Sequence, residues 1–336
     1  MTKFKRAISL LTATAISLSF CLSVSAERLT GEITDEKTYP TRVINIIECE
    51  NMGEITKEIP LLNSDGETTA YCLECTSGYL IYDMNGNIVE YSPTNESPFV
   101  NVDSDAYYGG PLNYIAEENE KLIDINTNEE IEHVDFVPIA EETTAVSEVI
   151  TDSNVSTQAL ANGNGTIETK VNGFPRNLNY NTGGYCGALA ATQLFLYIAD
   201  YKDSSILTSY YKDNPQNLYN YLKQLIPSYT SGYNLYKGMN DAMNSNVISL
   251  NQTAVGAGVQ DVWGLAYYII NTTQMPSILL IQDHETYNDH WVVTYGVVKC
   301  FYNYQLVDRF YIVNNGYGKN GVRINIKYQY NLVYLS

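Results

Sequence analysis

YNTGGYCGALAATQLFLYIADY, residues 180–201, decides how the rest of the chain is read. A polar stretch with two glycines gives way at Cys186 to a long run free of proline. Leu189, Gln193, Leu196 and Tyr197 fall at i, i+4, i+7 and i+8, which predicts a helix from Cys186 to about Tyr201. Gly183 and Gly184 allow the backbone before it to turn tightly and to approach another chain closely. A thiol attacks as its thiolate, and the partial positive charge of a helix N-terminus favours that form. Cys186 is therefore a candidate nucleophile.

Two later segments supply what such a thiol needs. NDHWVVTYGVV (288–298) places His290 at the start of an apolar, β-branched run that reads as a strand. An imidazole held there can take the thiol proton and return it to a leaving amine. The other histidine of this half, His284, sits in the polar stretch QDHETYND and reads as a surface residue. FYIVNNGYGKNGVRINI (310–326) ends a strand-like run at Asn314, before a Gly-Tyr-Gly turn. An amide there can fix the far ring nitrogen of His290, and its neighbour Asn315 competes for that role.

Working outward, Lys3, Lys5 and Arg6 precede an apolar stretch at 8–20, and Val24-Ser25-Ala26 suits a small-x-small cleavage site. Residues 1–26 thus read as a secretory signal peptide. No other stretch approaches the ~20 apolar residues of a membrane helix. The expected product is secreted or associated with the cell surface, and not transmembrane. About 310 residues remain, which suggests two domains.

Charge divides them. Residues 27–150 carry 27 acidic and 5 basic side chains, whereas residues 166–336 carry 10 and 11. So acidic a surface repels phosphate backbones and argues against nucleic-acid binding. Residues 27–140 read as a mostly β, acidic domain. Within it, GYLIYDMNGNIVEYS (78–92) sets two apolar runs around Asn85-Gly86-Asn87, a hairpin signal. Residues 40–62 also read as strands and turns. Residues 141–165, rich in Thr, Ser, Ala, Asn and Gly, read as a linker and processing region.

Residues 166–336 predict an α+β domain. Helices are expected at 186–201, 217–226, 235–245 and 260–273, and strands at 277–282, 290–299, 304–314, 321–327 and 331–335. Outside the signal the cysteines are Cys49, Cys72, Cys75, Cys186 and Cys300. Cys72 and Cys75 have CxxC spacing without a second pair or a nearby histidine, which argues against zinc. They read either as buried thiols or as one partner for Cys49, and Cys300 as a small core residue. No metal or organic cofactor is expected.

The three segments resemble the papain-like cysteine peptidase superfamily, most closely its streptopain-type and double-glycine-peptidase-like bacterial members. Val313-Asn314-Asn315-Gly316-Tyr317-Gly318 has the spacing of the streptopain-type Val-Asn-Trp-Gly-Trp-Gly pattern, which selects Asn314 over Asn315. The resemblance implies a papain-like fold with Cys186 opening a central helix packed on an antiparallel sheet. It implies a Cys186–His290–Asn314 triad acting on protein or peptide substrates through a thioester acyl-enzyme, in a monomer. It also implies a zymogen whose N-terminal pro-domain is an intramolecular inhibitor. Family members place a glutamine six residues before the cysteine to complete the oxyanion hole; here Tyr180 stands there, flanked by Asn179 and Asn181. The Cys186 N–H and the Asn181 side chain are the expected oxyanion donors. Gly187 replaces the aromatic residue that usually follows the cysteine. Two alternatives stay open: a weak or inactive surface-binding module of the same fold, and an amidase or acyl transferase on cell-wall peptides.

Overall fold

The structure is a computed structural model that describes residues 38–136, 163–180, 183–257, 262–281 and 290–336. The expected signal segment 1–26, most of the expected linker, Asn181 and His284 lie outside the described residues. The chain divides into two units, Met1–Tyr39 and Pro40–Ser336. All that follows concerns the second.

Its first half runs α1 (Thr41–Cys49), β1 (Ile55–Leu62), β2 (Thr68–Cys75), β3 (Tyr79–Asp83), β4 (Ile88–Ser92), β5 (Ala106–Gly110), β6 (Asn113–Glu118), β7 (Lys121–Asp124) and β8 (Glu130–Ile131). The second half begins with β9 (Gly165–Lys170), then α2 (Cys186–Tyr201), α3 (Ser209–Lys212), α4 (Pro215–Leu222) and α5 (Gly232–Asn244). It continues with β10 (Ala254–Ala257), α6 (Val262–Tyr268), β11 (Ser277–Ile281), β12 (His290–Tyr302), β13 (Gln305–Asn314), β14 (Asn320–Asn325) and β15 (Gln329–Leu335). The protein is thus mixed α+β, with one large sheet and several helices.

Residues 40–62, expected as strands and turns, form helix α1 and then strand β1. The first part is helical because Val43, Ile46 and Ile47 lie on one buried face. Burial of an i, i+3, i+4 stripe outweighs the strand preference of β-branched residues. The hairpin forms as expected. Asp83 Oδ1 accepts the N–H of Asn85 and Asn87 at 2.9 and 2.8 Å, and Gly86 supplies φ 80°. Both faces of β3 and β4 are buried, so the pattern there is not half-solvated.

A continuous path of strands joins the halves: β10-β15-β11-β12-β13-β14-β4-β3-β2-β1-β5-β6-β7-β8. The junction is β14 against β4, pairing Arg323 with Tyr91 and Ile324 with Glu90. The long strand β12 organises the second half. Its first residues, His290–Thr294, pair with β11, whereas Gly296–Phe301 pair with β9, a strand absent from the sequence expectation. Its other edge carries β13. Helix α2 packs on β12 and is buried on every side from Cys186 to Ala199. A helix buried on every side belongs in a core, and Cys186 is its first residue.

Glu90 is fully buried at the strand that joins the halves. It accepts hydrogen bonds from Tyr114 and Tyr79 hydroxyls and from the Leu112 N–H at 2.9 Å. Burial pushes its carboxyl up to about 7 from 4.5, against the opposing pull of those donors. A raised folded-state value makes the protonated form the stabilising one. That stability is full below pH 4.5 and is lost as pH rises through 7. The unfolding free energy is expected to fall by roughly 3 kcal/mol across this window. Glu90→Gln should flatten the slope. Urea midpoints at pH 5 and pH 8 check this, and an equal slope in the variant would refute it.

Candidate functional site

The loop before α2 is shaped by its glycines. Gly183 and Gly184 have φ of 62° and 75°, a region costly for other residues. The Gly184 carbonyl accepts the Tyr229 N–H at 2.9 Å. A Cβ on Gly184 would fall 2.6 Å from carbons of the Tyr229 ring, so only glycine fits there. Tyr229 itself is 63% exposed and has φ 49°. Lys223 Nζ sits 4.0 Å above the Tyr185 ring, bracing the residue before the thiol. Cys186 opens α2 and is buried, with 5% of its surface exposed.

Gly187 also has a steric reason. A Cβ there would meet Thr230 Cγ2 at 2.4 Å and Trp291 Cδ1 at 3.5 Å. Trp291 follows His290 and donates its indole N–H to the Thr230 carbonyl at 2.8 Å. The indole beside the first turn of α2 thus comes from β12 rather than from the residue after the cysteine. Tyr180 turns elsewhere, its ring centroid 5.8 Å from that of Tyr219.

His290, half-buried, starts β12. Its Nε2 lies 2.9 Å from the Asn315 main-chain carbonyl. The Tyr317 ring stacks on the imidazole, with centroids 5.0 Å apart and planes 9° from parallel. Gly316 brings the turn close: a Cβ there would stand 3.5 Å from His290 Nε2 and 3.9 Å from Leu189 Cδ2 of α2. The first turn of α2, the start of β12 and the turn after β13 therefore converge. Burial lowers the His290 pKa below its ordinary value, and the Asn315 carbonyl offsets this in part. Burial thus favours the neutral form of the ring.

Asn314 does not orient this ring. It is wholly buried, and its Oδ1 accepts from Gln193 Nε2 at 2.7 Å and from the Gly316 N–H at 3.0 Å. Its Nδ2 donates to Asn177 Oδ1 and Asn320 Oδ1, each at 3.0 Å. A side-chain amide has two donors and two main acceptor sites, so its capacity is spent on tying β13 to α2 and to Asn320. The ring partner is the carbonyl of its neighbour. A main-chain group leaves no mark in a sequence, and only the Asn-Asn pair hinted at it.

The remaining cysteines are unbridged thiols. Burial pushes Cys72 and Cys300 far up and Cys75 up to about 11; burial with Glu50 and Glu48 raises Cys49. Among the described residues no group of three or more His, Cys, Asp or Glu could hold a metal ion, and no helix is long and apolar enough to cross a membrane.

The two halves meet along β14. Besides strand pairing, Ser92 Oγ donates to the Gly321 carbonyl at 3.2 Å and Asn95 Nδ2 to the Asn320 carbonyl at 2.8 Å. Asn320 in turn holds Asn314, one residue from the carbonyl that meets His290. Compared with known proteins, the chain matches no protein-family model and no curated protein.

Proposed function

We propose that the protein is a secreted cysteine endopeptidase of papain-like fold, made as a zymogen. Cys186 attacks the scissile carbonyl and the peptide C–N bond breaks to give a thioester; His290 takes the thiol proton and gives it to the leaving amine, water then hydrolyses the thioester, and residues 27–140 act as the inhibitory pro-domain. The observation that carries this reading is the convergence of the α2 N-terminus with a neutral imidazole held on a carbonyl. A thiol at a helix start and an imidazole with no acidic partner among the described residues suit nucleophilic acyl transfer. The main-chain N–H groups of that first turn suit a developing oxyanion. The tie from Asn95 through Asn320 to Asn314 supports control of the site by the N-terminal half.

A peptide-like epoxide that alkylates active thiols tests the assignment. One equivalent should add to processed protein, and peptide mapping should place it on Cys186. Cys49, Cys72 and Cys75 lie in the pro-domain and burial raises Cys300, so none should compete. Label on another cysteine, or on none, would sink the reading. Tyr180 at the glutamine position favours a second reading, a binding module that keeps the fold. Labelling at Cys186 without turnover of casein or gelatin would select it.

A further inference from the structure

We propose that the turn from Asn315 to Lys319 is the positioning element for His290, its Asn315 carbonyl holding the ring as the Nε2–H tautomer and Tyr317 setting the ring plane. This rests on the peptidase reading above. A carbonyl oxygen only accepts, so the nitrogen it meets at 2.9 Å carries the proton. In the neutral ring, Nδ1 then holds the lone pair and is the basic atom. A side-chain amide can accept or donate, so it would leave the tautomer undecided; a main-chain carbonyl decides it.

The turn is built to keep that carbonyl still. Asn315 is 2% exposed, and its Oδ1 accepts the N–H of Tyr317 at 2.9 Å and of Lys319 at 3.0 Å. Its own N–H donates to the Lys319 carbonyl at 3.0 Å. Gly316 and Gly318, at φ 75° and 85°, let the chain close on itself. The same closure lays Tyr317 nearly parallel to the imidazole. The Asn315 side chain therefore acts on His290 at one remove, through the turn. Asn314 anchors the strand beneath it. The two adjacent asparagines divide the work that the resemblance assigns to one.

The test reads the tautomer directly. Full-length protein labelled with 15N-histidine is examined by long-range 1H–15N correlation at pH 7, with His290→Gln to assign the signal. The expected wild-type pattern is protonated Nε2 and bare Nδ1. Asn315→Ala should mix the tautomers and lower kcat by about 10–100-fold with KM within about twofold. Asn315→Asp keeps the accepting oxygen and should restore both the single tautomer and most of kcat. Should Asn315→Ala fail to fold, Tyr317→Ala serves. It leaves the main-chain bonds in place and should move His290 titration up toward that of a solvated histidine. A wild-type ring protonated on Nδ1, or an Asn315→Ala protein with unchanged tautomer and kcat, would overturn the proposal. An active enzyme with the wrong tautomer refutes positioning alone. The right tautomer in a chain that hydrolyses nothing even after processing, the form in which kcat is measured, refutes the peptidase reading alone.

Discussion

Cys186→Ala should remove hydrolysis of casein and gelatin, lowering kcat/KM by at least about 10⁴-fold. On the proposed reading the thiol is the reacting atom, which makes the loss large. Alanine offers no electron pair, so no acyl-enzyme forms. Water would have to attack the amide directly with only oxyanion and positioning help. No other thiol can take over, since burial raises every one that the structure describes outside the site. The variant should fold. Exchanging a small buried side chain for one slightly smaller costs about 1 kcal/mol, which thermal unfolding can verify alongside activity. Peptide binding should survive, because only the sulfur is removed. The pH profile carries a second signature. Burial lowers His290, so the acid limb of wild-type activity should lie below pH 6.5, the ordinary histidine value. Residual turnover in Cys186→Ala above the 10⁴-fold floor, measured under reducing conditions, would end the cysteine-peptidase reading.

Legibility followed the range of the interactions. Helix α2 could be read because its apolar run is local, and strands β11 to β15 because β-branched runs bounded by turns are local too. The 78–92 hairpin is set by Asp83, Gly86 and Asn87 within the turn itself. Helix α1 was misread because its propensities favour a strand and only burial of Val43, Ile46 and Ile47 reverses them. Strand β9 was hidden because its identity depends on a partner more than a hundred residues away, the second half of β12. Cys186 and His290 could be nominated because their chemistry resides in side chains. The group that meets His290 is a main-chain carbonyl, which every residue possesses. Asn314 attracted the role through its pattern, and its burial among Gln193, Asn177 and Asn320 redirected it.

Arg323→Ala should cost about 3–5 kcal/mol and uncouple the halves of the molecule. Arg323 on β14 is a near-buried cation, its side chain 8% exposed. It pairs with Glu168 of β9, lies 3.6 Å from Glu50 after α1, and has its guanidinium 5.3 Å from the Tyr91 ring centroid. Tyr91 donates its hydroxyl to Glu50 at 3.0 Å, closing the network. Three of these residues thus come from elements separated by more than a hundred positions, and the charge at their centre is single. Burial pushes Glu168 up, yet Arg323 and Lys170 outweigh it and leave its carboxyl below the ordinary value. Removing the cation takes away the largest of those opposing pulls. Glu50 then keeps the Tyr91 hydroxyl and Glu168 the half-exposed Lys170, so neither carboxylate retains a buried counter-charge. The cost is mostly that of orphaned charge, so neutralising the acids should recover it. Arg323→Met combined with Glu50→Gln and Glu168→Gln is expected to regain most of the lost stability. Urea unfolding followed by tyrosine fluorescence and circular dichroism should show one transition in wild type. Arg323→Ala should show two, residues 40–136 melting first. A loss below about 1 kcal/mol, with a single transition, would show instead that the other ties, the β4–β14 pairing and the Arg42–Asp308 pair among them, hold the halves together.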